Sequence, residues 1–91
     1  MDLKRKTVAI VGAARSGIAA ANLVLKCGGR PKITDTQPLL SLEVALAGLD
    51  NRCLTPVESG GHTRDFILSS DLVVASPGVR RDAEPLQWAR S

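Results

Sequence analysis

Three short segments carry residue types able to hold a phosphorylated ligand. The first is Val8-Ala9-Ile10-Val11-Gly12-Ala13-Ala14-Arg15-Ser16-Gly17, an apolar run that breaks into a glycine turn and continues into residues of helical composition. Its layout, G-x-A-x-x-G, is a variant of the G-x-G-x-x-G turn that binds dinucleotides. Gly12 permits the tight turn and Gly17 lets a helix pack close to the strand. The helix start then offers the N–H groups of Ala14, Arg15 and Ser16 to an anion. An exposed helix dipole contributes only about 0.3 to 1 kcal/mol, so hydrogen bonds from those N–H groups, with the Arg15 and Ser16 side chains, would provide most of the phosphate affinity. The methyl group of Ala14 stands where the second glycine of a dinucleotide turn brings backbone against the pyrophosphate, which predicts a different phosphate pose.

The second segment is Asp35-Thr36-Gln37, with Asp35 18 residues beyond Gly17. That spacing puts the Asp35 carboxylate at the same sheet edge as the glycine turn, within reach of a ribose or a base. Read alone, Asp35-Thr36-Gln37-Pro38 is a turn aspartate before a proline. The third is Ala75-Ser76-Pro77-Gly78, a tight turn after an apolar run. Ser-Pro-Gly alone says little, but three such segments at corresponding strand ends predict one crevice.

The elements needed to bring them together follow from the spacing of the apolar runs. Thr7 to Val11, Lys32 to Thr34, Arg52 to Thr55 and Leu72 to Ser76 start 25, 20 and 20 residues apart. Hairpins need two to five connecting residues, whereas parallel strands need crossovers of a dozen or more, usually helical. The spacing therefore predicts a Rossmann-like three-layer α/β domain with a parallel sheet of about four strands. Ser16 to Cys27 reads as the first crossover helix, ended by Gly28-Gly29. Leu39, Leu42, Leu46 and Leu49 form a stripe for the second. Thr63 is expected to cap a short third helix carrying Phe66 and Ile67 and ending at Ser69-Ser70. Asp82, Glu84 and Pro85 start a fourth leading to Leu86 and Trp88.

Composition bounds the alternatives. Ninety-one residues, 44% of them hydrophobic and 23% charged, make one soluble domain with no room for a second. Phe66 and Trp88 are the only aromatics, too few for a platform that stacks bases, and no nucleic-acid role is expected. The net charge of +3 is spread over Lys4-Arg5-Lys6 and Arg80, Arg81 and Arg90, which read as solvated surface. Cys27 and Cys53 lack metal-ligand spacing and read as two buried, reduced thiols in a cytoplasmic protein. His62, in Gly60-Gly61-His62, reads as a loop residue. Arg15 interrupts the only stretch resembling a signal peptide, and no run of 18 apolar residues suggests a membrane span. A doubly wound sheet normally continues to a further strand, so these residues are expected to be an excised part of a larger protein.

The pattern Val11-Gly12-x-x-x-Ser16-Gly17, the Thr34-Asp35-Thr36 step and the run Asp71-Leu72-Val73-Val74-Ala75-Ser76-Pro77-Gly78-Val79 resemble the N-terminal domain of the Mur ligases. The closest likeness is to the members that add D-glutamate in peptidoglycan synthesis. The resemblance covers nearly the whole chain. It implies that residues 1–91 hold the UDP portion of UDP-N-acetylmuramoyl-L-alanine, with no cofactor of their own. ATP and magnesium would be bound by a central domain, and the incoming amino acid by a C-terminal one. Arg15, Ser16 and neighbouring amides would face the pyrophosphate. Asp35 and Thr36 would face the uracil, Asp35 accepting its N3–H, and Ser76, Pro77 and Gly78 would close on the uridine from the other side. Gln37 stands where some relatives carry arginine, and Ala14 where many carry glycine. The G-x-x-G-K-[ST] phosphate loop of an ATPase is absent, so these residues are expected to bind and not to catalyse. Two rivals stand beside this reading. One is an NAD-binding half-domain of a dehydrogenase or transport regulator, with Asp35 on the ribose hydroxyls. The other is an interaction module with an empty crevice.

Overall fold

The computed structural model describes residues 3–77, 79, 80 and 82–90; Gly78, one of the expected site residues, lies outside the described set. The innermost strand is built from the most apolar run. Strand β1 (Thr7–Val11) pairs in parallel with β2 (Arg30–Thr34) on one side and with β4 (Leu72–Ala75) on the other. A two-residue strand, β3 (Val57–Glu58), pairs in parallel with β2, giving the order β3-β2-β1-β4. A central strand of a parallel sheet is covered on both faces, which explains why Val8, Ala9, Ile10 and Val11 are all apolar and all buried.

Alternate side chains of β1 face two separate clusters. Val8 and Ile10, with Ile33, pack under Ile18, Ala21 and Val24 of α1 (Arg15–Lys26) and Leu42 and Leu46 of α2 (Leu39–Leu46). Ala9 and Val11 pack with Ile67 of α3 (Arg64–Leu68), alongside Phe66, Leu86 and Trp88, the last two from α4 (Glu84–Arg90). Two crossovers run from β1 through β2 to β3. The third returns past β1 to β4, and a right-handed connection in the reversed direction must lie on the opposite face. The fold is therefore three layers, α1 and α2 on one side of the sheet and α3 and α4 on the other. As the spacing predicted, the sheet is parallel and four-stranded. Gly28, at a φ of 83°, ends α1.

Four expectations are corrected. Arg52 to Thr55 is not a strand: Arg52–Leu54 is a turn of 3-10 helix, with the Asn51 side chain accepting from Leu54 N–H, and the third strand starts at Val57. Pro56, which has no N–H, separates the two, and its carbonyl accepts from Ile33 N–H at 2.9 Å, where pairing with β2 begins. The two cysteines are exposed rather than buried, because Cys27 caps the end of α1 beyond its buried face and Cys53 lies in the 3-10 turn, off the sheet. Thr63 precedes α3 without a side-chain cap; its hydroxyl donates to Glu58 Oε2 at 2.6 Å instead. Of the leucine stripe, Leu42, Leu46 and Leu49 are buried, while Leu39 opens α2 largely exposed. No helix among the described residues is long and apolar enough to cross a membrane.

Candidate functional site

Strand order reverses at β1: the chain leaves it toward β2 and later comes back to its other side as β4. In an open α/β sheet the loops after such neighbouring strands diverge, leaving a crevice at their carboxyl ends. Gly12 follows β1 directly, at a φ of 102°, a conformation open to glycine at little cost. Its N–H donates to Thr34 C=O at 2.8 Å. A Cβ on Gly12 would stand 2.9 Å from Ser76 Oγ, and one on Gly17 only 2.0 Å from the Gly12 carbonyl oxygen. Both glycines are thus required by close approach, as the motif anticipated. The first intrahelical bond of α1 runs from Ile18 N–H to Ala14 C=O at 3.0 Å, so the N–H groups of Ala14, Arg15, Ser16 and Gly17 precede the helix ladder. Ala14, Arg15 and Ser16 are exposed.

Asp35, just beyond β2, is tied to this turn. Its Oδ2 accepts from Ala13 N–H at 2.7 Å and its Oδ1 from Gln37 N–H at 2.9 Å. The loop after β3 is stitched to the same segment, with Gly61 N–H donating to Asp35 C=O at 3.1 Å and Gly60 N–H to Gln37 C=O at 2.8 Å. After β4, Ser76 is buried and its hydroxyl donates to Gly12 C=O at 3.2 Å, while Pro77 is exposed. Between these segments lies a cleft of about 400 Å³, lined by Val11, Gly12, Asp35, Thr36, His62, Val79, Arg80 and Ala83. Arg15 lies on a different groove, between α1 and α2, with Ile18, Ser41 and Val44.

Of the residues singled out in the sequence, Gly12, Asp35 and Thr36 line the cleft, and Ser76 lies behind Gly12. Gln37 contributes its backbone to the turn. His62, Val79, Arg80 and Ala83 went unnoticed as lining residues. His62 had a signal only once β3 is placed: it lies in the loop four residues beyond that strand, at the same sheet edge as Asp35 directly after β2. Placing the third strand at Arg52 to Thr55 hid that signal inside the crossover.

His62 is held by a part-buried polar cluster. Thr34 Oγ1, fully buried, lies 2.7 Å from His62 Nδ1 and 2.7 Å from Glu58 Oε1. Glu58 Oε1 also accepts Thr63 N–H at 3.0 Å. Partial burial pushes the Glu58 pKa up, but hydrogen bonds from Thr63 and Thr34 and the nearby His62 outweigh it and leave the carboxyl below its ordinary value. Two residues earlier on the same face of β2, Lys32 Nζ donates to Phe66 C=O at 2.5 Å and sits 4.3 Å from the Phe66 ring centroid; desolvation lowers its pKa, partly opposed by Glu58.

These features define a class: a Rossmann-like α/β domain whose glycine turn, acidic residue after β2 and serine-proline turn after β4 meet at a topological switch point. The family follows from comparison with known proteins. The model of the Mur ligase MurD-like N-terminal domain matches residues 6–91, and the chain belongs to that family. Among curated relatives, the UDP-N-acetylmuramoylalanine--D-glutamate ligase of Geobacter sp. (strain M21) is 40% identical over 91 residues, covering 100% of this chain. Ligases of the same name from Citrifermentans bemidjiense and Anaeromyxobacter dehalogenans are 37% and 40% identical over 100% and 98% of the chain. The chain spans about a fifth of these relatives' length, 20%, 20% and 19%.

Proposed function

We propose that the chain binds the UDP moiety of UDP-N-acetylmuramoyl-L-alanine, within an ATP-dependent ligase that adds D-glutamate in cytoplasmic peptidoglycan synthesis. The convergence of three strand-end segments on one cleft carries this reading. In it, the Ala14, Arg15 and Ser16 amides and the Ser16 hydroxyl take the pyrophosphate at the start of α1. The nucleoside lies in the cleft beside Thr36, between the Asp35 loop and the Ser76-Pro77 turn. Gly17 and Ser76 shape the turn without touching ligand, and Asp35 braces it through Ala13. Gln37 completes the loop after β2 through its backbone. ATP, magnesium and the amide-forming chemistry belong to the other domains, and this chain binds without catalysing. One feature disfavours NAD: the Ala14 methyl group stands where the second glycine of a dinucleotide turn brings backbone against the pyrophosphate.

Calorimetric titration of the chain with UDP, NAD and inorganic pyrophosphate tests the proposal. UDP is expected to bind more tightly than either of the others: pyrophosphate lacks the nucleoside, and NAD carries a second nucleoside on its pyrophosphate at a turn narrowed by the Ala14 methyl group. NAD binding as tight as UDP would transfer the domain to the dinucleotide-binding class.

A further inference from the structure

The Thr34 hydroxyl has one proton and two close partners. An ionised Glu58 carboxylate only accepts, so that proton goes to Glu58 Oε1. The 2.7 Å contact between Thr34 Oγ1 and His62 Nδ1 must then be made by a proton on Nδ1. In the neutral imidazole this selects the Nδ1–H tautomer, opposite to the Nε2–H form that neutral histidine favours in water, with a lone pair on Nε2. No described residue bonds to Nε2, and His62 lines the same cleft as Asp35 and Thr36. The Asp35 oxygens, by contrast, each already accept a backbone N–H.

We infer that His62 is a nucleoside-recognising residue, whose Nε2 accepts a hydrogen bond from the uracil N3–H or a ribose hydroxyl, with Thr34 and Glu58 as the positioning residues that set its tautomer. The inference rests on the proposed UDP-binding function. It assigns recognition of the nucleoside to the loop after β3, in addition to the loops after β2 and β4. Thr34, fully buried at the centre of this chain, holds the ring because its single proton is committed to Glu58.

His62 is the only histidine in the chain, so its ring nitrogens are read without ambiguity in long-range 1H–15N correlation spectra. With its ring neutral, the ligand-free chain is expected to show the Nδ1–H tautomer. Thr34→Val, which keeps the shape and removes the hydroxyl, is expected to return the ring to Nε2–H. UDP is expected to shift Nε2, and His62→Ala to weaken UDP about 3- to 10-fold with pyrophosphate unchanged. CDP, whose N3 carries no proton, separates the two donors: equal loss for UDP and CDP assigns the ribose, loss for UDP alone the uracil. An Nε2–H tautomer in the ligand-free chain overturns the Thr34 and Glu58 role. UDP affinity within twofold of wild type in His62→Ala, in a variant folded by circular dichroism, overturns the contact itself. If the wild-type chain does not bind UDP, the proposed function falls and takes the ligand contact with it, while the tautomer measurement still decides the positioning role.

Discussion

Asp35→Ala separates bracing of the phosphate turn from direct recognition of the base. The carboxylate accepts one part-buried N–H, from Ala13 at 2.7 Å, and one exposed N–H, from Gln37 at 2.9 Å. Water replaces the carboxylate at Gln37 with little loss. At Ala13 a part-buried donor loses a charged acceptor, which costs about 1.5 to 3 kcal/mol. Against a total stability of about 5 to 14 kcal/mol for a domain this size, the variant stays folded but is measurably weakened. With a urea m-value of about 1 to 2 kcal/mol/M, a loss of about 2 kcal/mol moves the unfolding midpoint down by about 1 to 2 M. Asp35→Asn is expected to be milder, since its amide oxygen can still accept the part-buried Ala13 N–H while its NH2 group faces the exposed Gln37 N–H. The second readout is the ratio of UDP to pyrophosphate affinity, in which any general effect of removing a negative charge cancels. If Asp35 acts through the turn, both ligands change together and the ratio stays within about twofold, the size of a perturbation of roughly 0.5 kcal/mol. An unchanged midpoint with a UDP-specific loss of tenfold or more would refute the bracing role and make Asp35 a uracil contact only.

Gly17→Ala sets helix propensity against contact. Alanine gains about 0.5 to 1 kcal/mol in a helix, but its Cβ would stand 2.0 Å from Gly12 C=O, where backbone cannot yield without moving α1 off its buried face. A net loss of about 1 to 2 kcal/mol is expected in urea titration, and a gain in stability would show that α1 does not press on Gly12. Glu58→Gln addresses pH. Because the folded-state pKa of Glu58 is depressed, its stabilisation is present above the unfolded value and is lost as pH falls through the folded value. Wild type should therefore lose stability more steeply than Glu58→Gln on the acid side of the ordinary glutamate range, with parallel curves at neutral pH. Curves parallel throughout would mean that the Thr34 and Thr63 bonds do not favour the ionised form.

The sequence by itself determined the parallel three-layer fold, because crossover-length gaps between apolar runs exclude hairpins and strand β1 is apolar at every position from Val8 to Val11. It also determined the two glycines of the turn, since only a residue without Cβ fits beside Ser76 Oγ and the Gly12 carbonyl. Tertiary structure decided the third strand. Arg52 to Thr55 and Val57 to Glu58 have similar local preference, and pairing of Ile33 and Thr34 with the later segment selects between them. That choice moved His62 from a loop of no note to the end of a strand beside Asp35. Tertiary structure also gave Asp35, Ser76 and Thr63 their partners. Asp35 meets Ala13 and Ser76 meets Gly12 across sequence separations of 22 and 64 residues. Local sequence specifies which residues can accept or donate, but the strand order decides which of them meet.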